Sequence, residues 1–217
     1  MYDRKLAFAV RLFVYAFAGY VLGVVLAAIA SAQSPELQAK MHVCALRVDN
    51  WYGQQADSGS GVLVDLGGKA YVVTNHHVAA DRAGTLRITY PDGQRGGGRI
   101  VSTDAQMDVC VIEPAGNVTG GAPLGCFDPS ETHYIACFGT HALRFEPLTH
   151  GRPLQFADDP LPATAYAATT TSGDSGGGIF NEAGELCGIH RGKLGDGTAT
   201  GLTGQAFDRQ LVAIGQR

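Results

Sequence analysis

Downstream of residue 40 the chain is a succession of short apolar, β-branched runs, each closed within a few residues by Gly, Pro, Asn or Asp. Runs of this length read as strands joined by tight turns rather than as helices carrying a 3.6-residue apolar stripe. A first set is expected at 41–48, 59–66, 71–74, 85–90, 99–102 and 108–113. A second set is expected at 134–138, 152–155, 163–169, 177–180, 186–189 and 200–206. Gly67-Gly68 and Pro91-Asp92-Gly93 supply turns within the first set, and the Gly-rich segment 117–122 separates the two. Six antiparallel strands suffice to close a small barrel and remove its exposed edges. With 217 residues, 45% of them hydrophobic, the chain can bury two small barrels that share an interface. The fold expected is therefore all-β: two six-stranded antiparallel β-barrels over residues 42–118 and 119–217, with a short C-terminal helix. Asp208 is expected to cap that helix, and Leu211, Val212 and Ile214 to pack it back on the barrel.

The N-terminus is of another kind. Arg4, Lys5 and Arg11 precede residues 12–30, a run of 19 without a charge, and Ala30-Ser31-Ala32 is a small-x-small pattern. An apolar helix here has two readings: a cleaved signal peptide over residues 1–32, or an anchor just long enough to cross about 30 Å of hydrocarbon. In both, the basic flank stays inside, 33–41 is a linker, and the rest crosses the membrane to a secreted or periplasmic location. Membrane contact is expected only through residues 12–30, if they are retained.

Two function classes are disfavoured. The formal net charge is −4 and no Lys/Arg cluster occurs, so there is no basic field for nucleic acid. The histidines do not form a plausible metal set, because the close pair His76-His77 is adjacent in sequence, and neither metal nor cofactor is expected. Five cysteines (44, 110, 126, 137, 187) leave at least one unpaired within the chain. Cys110 and Cys187 lie in apolar runs as small core residues, and a Cys126–Cys137 bridge is one possible pairing.

The chemistry-bearing stretch is Thr171-Ser172-Gly173-Asp174-Ser175-Gly176-Gly177-Gly178. Its glycines permit backbone angles closed to other residues and leave room for substrate. Such a turn can aim the N–H groups of Gly173 and Ser175 at one point, where an oxyanion would be stabilised by about 3–4 kcal/mol per donor. Serine needs a base. One is available in Tyr71-Val72-Val73-Thr74-Asn75-His76-His77-Val78, and a carboxylate opens Asp108-Val109-Cys110-Val111. The order His, Asp, Ser is that of one of the three unrelated triad families.

These segments, together with Ser60-Gly61-Val62-Leu63-Val64, resemble trypsin-like (chymotrypsin-fold) serine peptidases, especially the HtrA-like and glutamyl endopeptidase branches, from about residue 42 onward. The resemblance implies hydrolysis of a polypeptide substrate through an acyl-enzyme, with His77, Asp108 and Ser175 as catalytic residues and Gly173 and Ser175 as the oxyanion hole. His76 becomes a neighbouring loop residue and Asp104 a turn residue. It also places the primary pocket at Thr169 and Thr170, six and five residues before the serine, with His190 in Gly188-Ile189-His190-Arg191-Gly192 on the pocket wall. No carboxylate lies at its floor to select Arg or Lys. A hydroxyl and an imidazole can instead donate to a carboxylate, which implies cleavage after Glu, with Asp less favoured. The alternative for His190 is a core histidine bonded to its neighbours, and Arg191 is expected to alternate outward. Asp174 pairs in digestive relatives with an N-terminal amine released by zymogen cleavage, and no partner for it is evident in this sequence. The rival functions are a catalytically inactive binding module on the same fold and a membrane-anchored processing protease of different specificity, with Glu36 as a site of self-cleavage.

Overall fold

The computed structural model describes residues 35–81, 83–138, 143–156, 159–195, 198–204, 207–209 and 211. Strands β1 (Ala45–Tyr52), β2 (Gln55–Leu66), β3 (Lys69–Thr74), β4 (Thr85–Thr89), β5 (Arg95–Gly96), β6 (Gly98–Asp104) and β7 (Val109–Pro114) form one antiparallel sheet in the order β5-β4-β1-β2-β3-β7-β6. Strands β8 (His133–Phe138), β9 (Leu143–Phe156), β10 (Asp159–Ala167), β11 (Gly178–Phe180), β12 (Leu186–Lys193) and β13 (Ala199–Thr203) close a barrel in the order β10-β13-β12-β11-β8-β9. Each expected strand has a counterpart, but the first sheet holds seven strands rather than six and is a curled sheet with β5 and β6 at its edges, not the closed barrel expected there. The addition is β5, which pairs with β4 across the turn after Pro91 and is too short to show as an apolar run. Gly67 and Gly68 take φ of 67° and 84°, the two-residue turn that brings Leu66 opposite Lys69.

The runs in β2, β3 and β7 are continuously apolar because both faces of these strands are buried. Val62, Val64 and Leu66 face a core shared with the barrel residues Ala136, Phe180, Leu186, Ile189 and Leu202. Leu63, between them, faces the interior of the first sheet with Leu46, Val48, Val72, Ile88 and Ile112. The same alternation sends Val109 and Val111 one way and Cys110 and Ile112 the other. The barrel has its own interior of Ile135, Cys137, Leu148, Tyr166 and Ile179.

Three expectations need correction. The linker and the start of the first strand are instead a helix, α1 (Pro35–Cys44), with Pro35 at its first position and Glu36 in its first turn. Its Leu37, Met41 and Cys44, at helical spacing, join the shared core with Phe207 and Leu211. Asp208 does not cap the C-terminal helix: helical residues already begin at 204, so it lies within the segment, and burial raises its carboxyl. Cys126 and Cys137 are both free thiols; Cys137 lies inside the barrel while Cys126 is on the surface. Val212, Ile214 and the apolar run 12–30 lie outside the described residues. Among the described residues no helix is long and apolar enough to cross a membrane.

Met41 is fully buried, whereas the Glu36–Lys40 pair on the same helix is largely exposed. Met41→Ala is expected to lower the unfolding free energy by about 2–5 kcal/mol. Glu36→Gln should change it by less than about 1 kcal/mol. Urea unfolding of both variants checks this, and equal effects would mean that α1 is not packed through its apolar face.

Candidate active site

The end of β3 and the start of β7 pair through Thr74 and Cys110, which brings the His76-His77 segment beside Asp108. Asn75 is fully buried and extended, and its side-chain N–H donates to the carbonyl of Asp108 at 2.9 Å. The chain then turns into the short helix α2 (His76–Ala79). Asp108 has φ of +54°, the one positive value outside glycine among the described residues. This left-handed conformation costs about 1–2 kcal/mol, and Asp is among the residues that tolerate it best. It turns the carboxylate toward His77. Oδ1 accepts the His77 backbone N–H at 3.0 Å, and Oδ1 and Oδ2 lie 3.0 and 2.9 Å from the ring Nδ1. A proton held at Nδ1 leaves Nε2 as a free acceptor. His76 goes elsewhere, its Nδ1 lying 2.7 Å from the Thr103 hydroxyl. Asp104 accepts the Met107 N–H at 2.8 Å and closes a turn.

Ser175 lies on the turn between Gly173 and Gly176, whose φ values are +93° and +87°. A Cβ on Gly176 would fall 2.1 Å from the Ser60 carbonyl and 2.4 Å from the Thr74 hydroxyl, so only glycine fits. Ser60 organises this junction. Its N–H donates to the Ser175 carbonyl at 2.7 Å and its hydroxyl to the Gly173 carbonyl at 2.8 Å, while that hydroxyl accepts the Phe138 N–H at 2.8 Å. The Thr74 hydroxyl in turn donates to the Ser60 carbonyl at 2.6 Å. A Cβ on Gly59 would meet both the Ser175 carbonyl, at 2.7 Å, and Val78, at 2.6 Å, so the residue after His77 packs close to the Ser175 backbone. Among the described residues the N–H groups of Gly173 and Ser175 have no acceptor.

The Ser175 hydroxyl donates to the Arg191 carbonyl at 3.3 Å, and Arg191 Nε lies 3.7 Å from Asp108 Oδ2. One residue thus touches both Ser175 and Asp108. The outward position expected for Arg191 is therefore incorrect: β12 is irregular between His190 and Gly192, which breaks simple alternation there.

Of the pocket residues, Thr169 is exposed and Thr170 half-buried, and the Thr170 carbonyl accepts from Lys193 Nζ at 3.4 Å. His190 is 1% exposed, with Nδ1 2.7 Å from the Tyr166 hydroxyl, and burial pushes its pKa down to about 4. Its ring is neutral at pH 7. This burial fits the core-histidine alternative, and Tyr166 is the neighbour that sequence reasoning did not identify. Arg144 was missed as well, although its guanidinium lies 3.0 Å from Asp174. Neither partner carries a local motif, because each comes from a strand distant in sequence. Among the described residues no group of three or more His, Cys, Asp or Glu is arranged to hold a metal ion.

Residues 59–189 match the trypsin-like peptidase domain family. The chain is 30% identical over 163 residues to the periplasmic serine endoprotease DegP of Escherichia coli, covering 71% of this chain and 34% of that protein. It is also 30% identical over 167 residues to the serine endoprotease DegS of Salmonella typhimurium, covering 71% and 46%. It thus spans well under two thirds of these relatives. Among solved structures, the HtrA-type protease AlgW with a tripeptide superposes with a TM-score of 0.70 at 17% identity, covering 82% of this chain and 63% of that one. That likeness is one of fold.

The His190 ring binds its proton at about pH 4 when folded, against 6.5 for a free imidazole. The unfolded chain therefore takes up this proton first, and stability should fall as the pH drops from 6.5 toward 4, by up to about 3 kcal/mol from this group. His190→Gln should remove that part of the pH dependence in urea unfolding. Parallel curves for the variant and the parent would show that the ring is hydrated and not enclosed.

Proposed function

The chain belongs to the trypsin-like peptidase domain family, and from that premise we propose that it is a serine endopeptidase acting through His77, Asp108 and Ser175. The observation that carries this reading is Asp108, a strained residue whose carboxylate grips His77 at both its backbone N–H and its ring Nδ1. With Nδ1 protonated toward Asp108, Nε2 takes the proton of the Ser175 hydroxyl as Oγ attacks the peptide carbonyl. The Ser175 hydroxyl gives up its long contact with the Arg191 carbonyl in doing so. The developing oxyanion is received by the N–H groups of Gly173 and Ser175. Collapse of the tetrahedral intermediate passes the proton from Nε2 to the leaving amine, and water repeats the sequence to release the acyl group. Arg191 shares the Asp108 carboxylate with His77, its Nε lying 3.7 Å from Oδ2.

Selectivity we assign to glutamate before the scissile bond, with aspartate second. Three groups support it: the Thr170 hydroxyl, the Lys193 ammonium beside the Thr170 carbonyl, and His190. Nδ1 of His190 is engaged by the Tyr166 hydroxyl, whose proton has a second acceptor in the Thr200 carbonyl at 3.3 Å, so the neutral ring donates to a carboxylate only as the tautomer protonated on Nε2. A neutral donor is weaker than a charged one, so the preference over glutamine is expected to be modest. The setting is secreted or periplasmic, in line with the periplasmic relative.

A fluorophosphonate should label the wild-type protein at Ser175 and leave Ser175→Ala unlabelled. Asp108→Asn should lower kcat by about 10⁴. A folded wild-type protein that neither labels nor cuts unfolded casein would make the inactive binding module the correct reading. On peptides differing only before the cut, Glu should exceed Gln about tenfold in kcat/KM. Preference for Leu, Phe or Arg would remove the specificity and leave the triad intact.

A further inference from the structure

Directly before the proposed nucleophile lies Asp174, a carboxylate with no exposure to solvent. A lone ionised carboxylate so placed is costly unless a counter-charge and hydrogen bonds accompany it. Its Oδ2 accepts the Thr171 N–H at 2.6 Å and the Thr171 hydroxyl at 3.3 Å, both from the same turn. The counter-charge comes from another element: Nη2 of Arg144, at the start of β9, stands 3.0 Å from Oδ2. Among the described residues no other cation forms an ion pair with it. The same nitrogen also donates to the Thr169 carbonyl. One guanidinium therefore ties down both the beginning of the 169–175 segment and the residue that precedes Ser175. It is aimed there by the barrel, since Arg144 pairs across β8–β9 with Cys137, whose Cβ abuts the position of Gly177.

We propose that Arg144 is a positioning residue for this site, an internal cation that compensates Asp174 and thereby sets the peptide groups from which the Gly173 and Ser175 N–H groups project. Two further bonds of the turn, Asp174 N–H to Thr171 O at 3.2 Å and Gly177 N–H to Asp174 O at 2.9 Å, hinge on the same residue, beside the Ser60 bonds to the Gly173 and Ser175 carbonyls and the Gly176 N–H bond to the His190 carbonyl at 2.9 Å. The chain thus carries its own counter-charge for Asp174, and the turn does not depend on a new N-terminal amine. Glu146, 3.4 Å from the same Nη2, faces the pair and balances the remaining charge of the guanidinium. Among the described residues Asp174 Oδ1 has no hydrogen-bond partner, and the buried Cys137 thiol lies beside the same carboxylate. Loss of Arg144 would remove the one cation that pairs with it among the described residues.

The inference rests on the peptidase reading for its kinetic consequence but not for the ion pair itself, and the test separates the two. Arg144→Gln should lower kcat, and fluorophosphonate labelling of Ser175, by about 100-fold, with KM within about threefold, because the loss falls on transition-state donors and not on substrate contacts. Arg144→Lys, which keeps the charge, should recover at least about tenfold. Adding Asp174→Asn to Arg144→Gln removes the orphaned charge and should also recover about tenfold, a coupling specific to this pair. N-terminal trimming should leave the wild-type kcat unchanged. Hydrogen exchange at the amides of residues 171–177 reports the pair without reference to activity: faster in Arg144→Gln, restored in the double variant. Should Arg144→Gln fail to fold, Arg144→Lys and the double variant carry the comparison. An unchanged kcat and unchanged exchange in Arg144→Gln, or a double variant no better than the single, overturns the proposal. If the wild type itself does not label, the peptidase reading fails, and the exchange measurement still decides the role of Arg144.

Discussion

One fully buried serine on β2 joins the two sheets at the point where the chemistry is proposed. Ser60 spends its N–H, its hydroxyl and its carbonyl on Ser175, Gly173, Phe138 and Thr74, four partners drawn from the nucleophile turn, the barrel and the first sheet. Each bond is modest alone, of order 1 kcal/mol. Together they leave the turn around Ser175 few ways to move relative to β3, whose end delivers His77. The close approach also explains Gly176, where a methyl group would drive the Ser60 carbonyl away.

The two aspartates of the site receive opposite treatment. Asp108 is partly open, held in a left-handed backbone and shared between the His77 ring and Arg191. Asp174 is sealed from water and fastened to Arg144 and the Thr171 amide. A carboxylate that must respond to a neighbouring imidazole benefits from some solvent and some competition. One that shapes a turn benefits from enclosure and a fixed cation. On the proposed mechanism, the first orients the base and the second shapes the donors.

The pocket has a comparable division. Thr169 and Thr170 are accessible, but His190 is packed against Tyr166 inside the barrel, and burial suppresses its charge. Selectivity for an acidic side chain would then rest on neutral donors and on Lys193 at the rim. The buried thiols follow the same logic of enclosure: burial pushes Cys110 and Cys187 up to about 12, and they behave as small apolar residues.

How much was legible beforehand follows from the range of the forces involved. Strand positions were readable because alternation and turn residues are local; the doubly buried runs of β2, β3 and β7 announced themselves as unbroken apolar segments. The residues of the proposed site could be named because their types and chain order form a pattern that survives without coordinates. Helix α1 went unread as a helix because its three core contacts are spaced across polar residues and acquire meaning only beside Phe207 and Leu211. The partners were invisible for a related reason. Arg144 beside Asp174, Tyr166 beside His190, Ser60 beneath Ser175 and Arg191 turned toward Asp108 join residues from distant segments or across a strand irregularity. No periodicity encodes such pairings, which arise only when the sheets curl and stack. Sequence alone determined which groups are available for chemistry; the tertiary structure decided which charges face one another, because that depends on burial and on distances between strands far apart along the chain.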